Sequence, residues 1–419
     1  MLEVGEASAR ILNAIRPLAA ERVTLDEAAG RVLTTKVEAT TVSPPWDNSS
    51  MDGFAVRSAD VVLRSGGDER VPRLKVVATI AAGGFAPRPL GAGEAMRIMT
   101  GAPIPIGADS VIRIEDTDRG TDRIAILNLR DLQKNIRRAG EDFVAGADLF
   151  EPGTELRAAH LGVLASAGVT EVDVHRRPRV AVITSGDELV ELSDYSSDVA
   201  GLKIVSSNSW TLPQLVRDAG GEAIDLGIAS DDPASLRAKL DQTQGFDLII
   251  TSAGVSVGDL DNVRSVFADL GGELAFWKVK MRPGAPMAFG SLRGIPWLGF
   301  SGNPVSAMVS FEVFGRPAVR KMLGHSKLHR ALIPVRLSEP VEIAAPLTHF
   351  LRATVTRRDD GEFEARLSGS QSSAVLTAMA RANALLVVPA ESRSNPAGSK
   401  LSALPLTDDL WMSDQFGIQ

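Results

Sequence analysis

The chain contains no cysteine, only five histidines and a single tyrosine among its 419 residues. Without a thiol there is no disulfide framework, no thiolate nucleophile, no iron–sulfur cluster and no cysteine-built zinc site. The composition is compatible with a cytoplasmic location, where a reducing environment leaves disulfides little structural use. Excess positive charge is also missing. With 45 Lys+Arg against 52 Asp+Glu the formal net charge is −7, which gives a phosphate polymer no long-range attraction, so no nucleic-acid partner is expected. A membrane-length apolar run is missing too: the uncharged stretch from Gly294 to Phe311 is broken by Pro296, Gly299 and the polar turn Ser301 to Pro304, and no membrane partner is expected. The amino terminus spaces its apolar residues as an amphipathic helix around Glu3 and Glu6, unlike the continuous apolar core of a signal peptide.

What is present is a 44% hydrophobic content, enough to bury proper cores, in a length that suits two to four domains at roughly 150 residues each. Texture divides it. Residues 1–43 begin helically, with Thr24 and Glu27 reading as a capping box ahead of DEAAGRVL. From 44 to 134, turn-rich SPPWDNSSMDG gives way to short β-favouring runs such as LKVVATI and SVIRIED. Residues 135–177 return to mixed character, with helix-like AAHLGVLASAGV and a basic hinge, VHRRPR. From 178 to 325, strand-like RVAVIT, AIDLGIA and FDLIITS alternate with helix-like WTLPQLVRDAG, PASLRAKLDQ and DNVRSVFADL. That alternation predicts a mostly parallel sheet with helices on both faces. Residues 326–419 return to short strands and turns.

In an open α/β sheet, ligands sit outside the carboxyl ends of the strands. The residues that follow the predicted strands are polar and turn-forming: Ser185-Gly186-Asp187-Glu188, Ser230-Asp231-Asp232-Pro233, Ala253 to Asp261, and Ser301-Gly302-Asn303-Pro304. Helix capping accounts for single members such as Asp232 and Asn303. It does not require five carboxylates at one edge, Asp187, Glu188, Asp231, Asp259 and Asp261, which suit Mg²⁺ held jointly with substrate phosphates. Opposite in sign is WKVKMRPG, where strand alternation would place Lys278, Lys280 and Arg282 on one face to hold a buried anion. Neither a P-loop nor a GxGxxG fingerprint is found. The segment Gly254 to Gly258 has the form GxSxG, with His325, His329 and His349 downstream. A nucleophile elbow, however, runs directly into its helix, whereas DLDN intervenes here. The pair His325 and His329 would coordinate metal only if helical, and no third ligand is in view.

Taken in order, SSMDGFAV, RIMTGAPIPIGADSVIRIED, AGEDFVAGADL, PRVAVITSGDEL, DLGIASDDP, TSAGVSVGDLDNVR, MRPGAPMAFG and GFSGNPVSAM resemble the molybdopterin molybdenumtransferases, the MoeA and gephyrin E-domain family, over nearly the full chain. The resemblance implies a multidomain α/β protein. Its parts are a mixed linker domain (1–43 with 135–177), an inserted β-rich domain (44–134), a central α/β molybdopterin-binding domain with a mostly parallel sheet (178–325) and a C-terminal β-barrel-like domain (326–419). It implies Mg²⁺-dependent insertion of molybdenum from molybdate into adenylylated molybdopterin with release of AMP. It further implies a homodimer whose site is shared between subunits, and the molybdopterin adenylyltransferase as a further partner.

Carried onto this sequence, Asp52, Thr100 and Asp142 line the facing side of the site. Glu188, Asp231 and Asp261 serve the pterin, metal and phosphate side, together with Ser185, Gly186 and Asp187. Gly254, Ser256 and Gly258 form a phosphate loop, Asn303 and Pro304 shape the adjacent helix start, and Lys278, Lys280 and Arg282 hold molybdate. The chain departs from the family motifs at Ala285, where a second lysine is usual, at Ser301 in place of proline, ahead of Phe350-Leu351-Arg352, where an expected arginine is missing, and in SQSSA at Ser370 to Ala374. A pterin-binding paralogue with weak or no metal insertion is the alternative these departures suggest.

Overall fold

The computed structural model describes residues 1–65, 71–196, 200–253 and 266–412. They form two compact units, one of Arg22–Ala29 with Thr35–Asp173 and the other of Met1–Glu21, Gly30–Thr34 and Val174–Gln419.

The first unit is built on a five-stranded mixed sheet in the order Ser110–Arg113, Gly53–Val56, Glu94–Ile98, Arg73–Ile80, Arg123–Ala125. The pairing of Arg73–Ile80 with Glu94–Ile98 is parallel and the others are antiparallel. Both faces are covered. Alternation along Gly53–Val56 sends Phe54 and Val56 into a core with Leu74, Ile112 and Ile124, and Ala55 into another with Ile80, Met96 and Ile98. The glycine of the MDG motif answers a close approach, because a Cβ at Gly53 would lie 2.1 Å from the Ile112 carbonyl oxygen.

The capping box expected at Thr24 does not form. Ala20–Thr24 is a strand, the next residues make two tight turns, Glu27 N–H to Thr24 O and Ala28 N–H to Leu25 O, and Gly30 at φ +74° ends them. Five residues between a strand and a left-handed glycine leave no room to propagate a helix. The hinge VHRRPR likewise begins inside a strand, Glu171–His175, and Arg176 is anchored on the Asp247 carboxylate at 2.6 Å.

The second unit carries the alternating pattern as a six-stranded sheet in the order Glu222–Ala229, Arg179–Ser185, Leu248–Ser252, Ile295–Phe300, Ala288–Leu292, Gly272–Trp277. The first four strands run parallel, and the last two are joined on by antiparallel pairings, so that only Ala288–Leu292 runs against the rest. Helix Asn208–Asp218 and the helix beginning at Pro304 cover one face, where Leu212, Val216, Val305 and Val309 meet Val180, Val182, Ile250 and Leu298. Helix Pro233–Asp241 covers the other through Leu240, against Ile183, Ile249 and Trp297. The expected helix DNVRSVFADL falls partly outside the described residues.

The C-terminal strands close on themselves. Thr348–Arg357 pairs with Phe363–Leu367, which pairs with Ile333–Leu337, then Lys400–Pro405, then Ala384–Val388, which returns to Thr348–Arg357. The result is a five-stranded barrel filled by Val335, Leu351, Ala353, Val355, Leu386 and Ala403. The architecture is thus multidomain α/β with a mostly parallel central sheet, a β-rich sheet domain and a β-barrel. Among the described residues no helix is long and apolar enough to cross a membrane.

Candidate functional site

A cavity of about 440 Å³ opens at the carboxyl ends of the four parallel strands. Three of the loops singled out by their polarity meet there, through Ser185, Gly186 and Glu188, through Asp231, and through Ser301, Gly302, Asn303 and Pro304. Gly186 has φ +147°, and a Cβ on it would lie 2.6 Å from a Glu188 carboxylate oxygen. That φ is one that residues other than glycine rarely adopt, and the Glu188 carboxylate lies in the space a Cβ there would crowd. Asp187 is engaged otherwise: its Oδ1 accepts the Asp231 N–H at 3.0 Å, while Asp231 Oδ2 lies 3.4 Å from the Asp187 N–H. This exchange ties two of the loops together and leaves Asp187 outside the cavity lining. Capping proves right for Asp232, whose carboxylate accepts the Ser235 N–H. Asn303 is the N-cap of helix Pro304–Ser310 but makes no side-chain cap bond, so its amide remains available to the cavity.

Gly254, Ser256, Gly258, Asp259 and Asp261 lie outside the described residues. Among the described residues no cluster of three or more histidine or carboxylate side chains is poised for a metal. Glu188 and Asp231 nevertheless fit Mg²⁺, which takes one or two carboxylates and completes its shell with substrate phosphates and water. The oxygen-only donor set of this cavity matches that habit.

One contributor was not anticipated, and a second was noted only as a departure from the family motif. Asn208, at the start of helix Asn208–Asp218, is buried in the cavity wall. Its amide nitrogen donates to Ser252 Oγ at 2.5 Å and to the Gly302 carbonyl at 2.8 Å, while its Oδ1 is without a partner among the described residues. An orphaned buried carbonyl of this kind costs about 1–3 kcal/mol. The polar run Ser206 to Ser209, at the start of this helix, was the available signal. Ala374 reaches the same cavity from the barrel side. Its loop is held by fully buried Arg352, whose Nη2 donates to the carbonyls of Ser370 and Ser372 at 3.3 Å each. The Gln371 side chain adds hydrogen bonds to both backbone groups of Arg352. Burial pushes the Arg352 guanidinium down to about 10.

The basic stretch departs from expectation. It is not one strand: Gly272–Trp277 ends before Lys278, which has φ +73°, because Leu2 inserts there through Leu2 N–H to Lys278 O and Lys280 N–H to Leu2 O. The three cations therefore do not share a strand face. The Lys278 ammonium sits 4.0 Å from the centre of the Trp277 ring, Lys280 pairs with Glu3 at 2.5 Å, and exposed Arg282 lies in register with His349. Burial pushes the His349 imidazole down, and its Nδ1 is 2.8 Å from the Leu347 carbonyl oxygen. His329 lines a separate, largely apolar cavity with Val4, Leu12 and Phe350.

In the first unit, Asp52 and Thr100 meet directly. Asp52 Oδ1 accepts the Thr100 N–H at 2.7 Å and the Thr100 hydroxyl at 2.8 Å. These bonds, with the nearby Arg97 charge, hold the Asp52 carboxyl below the usual range. Asp142 is exposed, and its N–H donates to the Ser43 carbonyl at 3.0 Å.

Family models match nearly the whole chain in sequence: the MoeA N-terminal region (domain I and II) over residues 2–168, a probable molybdopterin binding domain over 181–321, and the MoeA C-terminal region (domain IV) over 334–406. A molybdopterin molybdenumtransferase of Nostoc sp. is 36% identical over 392 residues, covering 92% of this chain and 88% of its own length. Molybdopterin molybdenumtransferase 2 of Mycobacterium tuberculosis is 38% identical over 407 residues, covering 95% and 97%. The crystal structure of the molybdopterin biosynthesis moeA protein from Pyrococcus horikoshii OT3 superposes with a TM-score of 0.78 at 27% identity, over 97% of this chain and 100% of that one. The chain is a member of the molybdopterin molybdenumtransferase (MoeA) family.

Proposed function

We propose that this protein inserts molybdenum from molybdate into adenylylated molybdopterin, with Mg²⁺ required and AMP released. The observation that carries the reading is the 440 Å³ cavity in which Glu188, Asp231 and the Ser301 to Pro304 turn converge, inside the region matched as a probable molybdopterin binding domain. Ser185, Gly186 and Asn303 bind and orient the substrate there, with Asp187 bracing the loops and Pro304 starting the helix beside it. Glu188 and Asp231, joined by Asp261, would hold Mg²⁺, which when bound neutralises phosphate charge. The segment containing Gly254, Ser256 and Gly258 serves the same phosphates.

Lys278, Lys280 and Arg282 supply the positive charge for molybdate, although Lys280 is paired with Glu3 and the three do not share a strand face. Asp52, held ionised by Thr100, and Asp142 complete the site from a second copy of the chain, making the working form a homodimer. A cytoplasmic location, where the adenylyltransferase product is available, accords with the cysteine-free composition.

Purified protein incubated with adenylylated molybdopterin, Mg²⁺ and molybdate should release AMP and yield active cofactor. Absence of both overturns the proposal. Tight binding of the adenylylated pterin without turnover would instead favour a carrier, the reading that Ala285 supports by removing one expected cation.

A further inference from the structure

We infer that Asn208 is a positioning residue that sets the width of the cavity by tying the ends of two adjacent parallel strands to one helix start. The inference rests on the functional reading above and adds to it a residue that contacts no reacting atom.

The orientation of the amide is fixed chemically. The Gly302 carbonyl can only accept, so the group 2.8 Å from it must be the NH₂. The same nitrogen reaches Ser252 Oγ at 2.5 Å. Ser252 ends the strand Leu248–Ser252 and Gly302 lies two residues beyond Ile295–Phe300, so one side chain spans two strand ends. A third strand is reached from the same helix start through hydroxyls and not through Asn208: Ser206 Oγ lies 2.8 Å from Ser209 Oγ, which lies 3.4 Å from Thr184 Oγ1 in the strand Arg179–Ser185. The helix carrying Asn208 is itself a firm base, since Leu212 and Val216 are fully buried against the sheet.

The joint being held is tight and strained. Ala253, which follows Ser252, has φ +82°, a conformation that costs free energy in any residue other than glycine. A Cβ on Gly302 would approach Ala253 Cβ to 3.0 Å. An aliphatic side chain of the same size at position 208 would fill the space without an Oδ1 that has no partner among the described residues, so packing among them gives no reason for an amide. Its two hydrogen bonds are what an aliphatic residue could not make, and they brace the loop carrying Ser301, Gly302 and Asn303, all in the cavity wall.

The test uses the full-length protein and two near-isosteric variants, Asn208→Leu and Asn208→Asp. Unfolding midpoint, equilibrium binding of adenylylated molybdopterin and kcat/KM for AMP release are measured for each. Asn208→Leu is expected to keep or raise the unfolding midpoint while losing ~10- to 100-fold in kcat/KM, the scale on which misplacement of a site is felt. Asn208→Asp is expected to lose as much at neutral pH, because a carboxylate repels the Gly302 carbonyl. Its activity relative to wild type should recover as pH falls and the protonated carboxyl regains an O–H donor, a response that a packing role would not produce.

Leucine at full activity overturns the inference, as does an aspartate variant with a flat relative pH profile, which decides the matter if the leucine variant does not fold. If wild-type protein binds the adenylylated pterin without releasing AMP, the functional reading fails while the variants' binding still judges Asn208. If wild type does not bind it at all, both fall.

Discussion

Asp52 receives both of its closest hydrogen bonds on one oxygen and from one residue, the N–H and the hydroxyl of Thr100, leaving Oδ2 unengaged by that residue. The carboxylate is thereby oriented and kept ionised. Thr100→Val removes the hydroxyl bond and preserves shape, so the expected outcome is a kcat/KM lower by about tenfold with little change in unfolding midpoint. The pH dependence has a definite sign. Because the folded-state value of Asp52 is depressed, the stabilisation from Thr100 is fully present above the ordinary aspartate range near 4 and is lost as pH falls through the depressed value. In Thr100→Val the acid limb of the activity profile should move to higher pH, and an unmoved limb would show that Asp52 does not govern it.

The Glu188 carboxylate lines the cavity and lies close against Gly186, in the space a Cβ there would crowd. Glu188→Gln keeps the volume and removes the charge that suits Mg²⁺. The Mg²⁺ concentration giving half-maximal AMP release should rise at least about tenfold, with partial recovery at saturating Mg²⁺. Binding of AMP without Mg²⁺, followed by calorimetry, should not change. A variant with unaltered Mg²⁺ dependence would remove Glu188 from the metal's surroundings.

Arg352 is buried without a carboxylate partner among the described residues, and its Nη2 donates to two carbonyls of the loop that delivers Ala374 to the cavity. Lysine keeps the charge but lacks the planar guanidinium that fixes where the nitrogen donating to both acceptors sits. Arg352→Lys is therefore expected to lower stability by about 1–3 kcal/mol and to raise KM for the adenylylated pterin more than it lowers kcat. Full activity in the lysine variant would show that charge, not geometry, is what the position supplies.

The parts of this site that were legible in the sequence are those set by local rules. Alternating strand and helix patterns located the sheet, and the polar turns after each strand marked the edge where a cavity opens and where Glu188, Asp231 and Asn303 are found together. What was not legible depends on contacts far apart in the chain. Asn208 is tied to Ser252 and Gly302 across 44 and 94 residues. Strand alternation from Lys278 to Arg282 was broken by Leu2, which is 276 residues from Lys278 (278 − 2) and hydrogen-bonds into that segment. The Thr24 capping box failed for a local reason that was visible: Gly30 stops any helix after one turn.

Ala285 offers a test of the molybdate assignment that adds a function instead of removing one. It stands three residues after exposed Arg282, is itself half-buried, and its carbonyl accepts the Val279 N–H at 3.0 Å, a bond that a change of side chain leaves intact. Ala285→Lys places a further cation on this segment. One additional charge about 4 Å from an anion contributes roughly 1 kcal/mol in water-like surroundings, so KM for molybdate should fall about fivefold at low ionic strength. Because salt screens such a contact, the advantage over wild type should shrink as ionic strength rises, while KM for the adenylylated pterin stays unchanged. If KM for molybdate is the same in both proteins at low salt, the oxyanion is held away from this segment, and the roles given to Arg282 and its neighbours Lys278 and Lys280 fall with it.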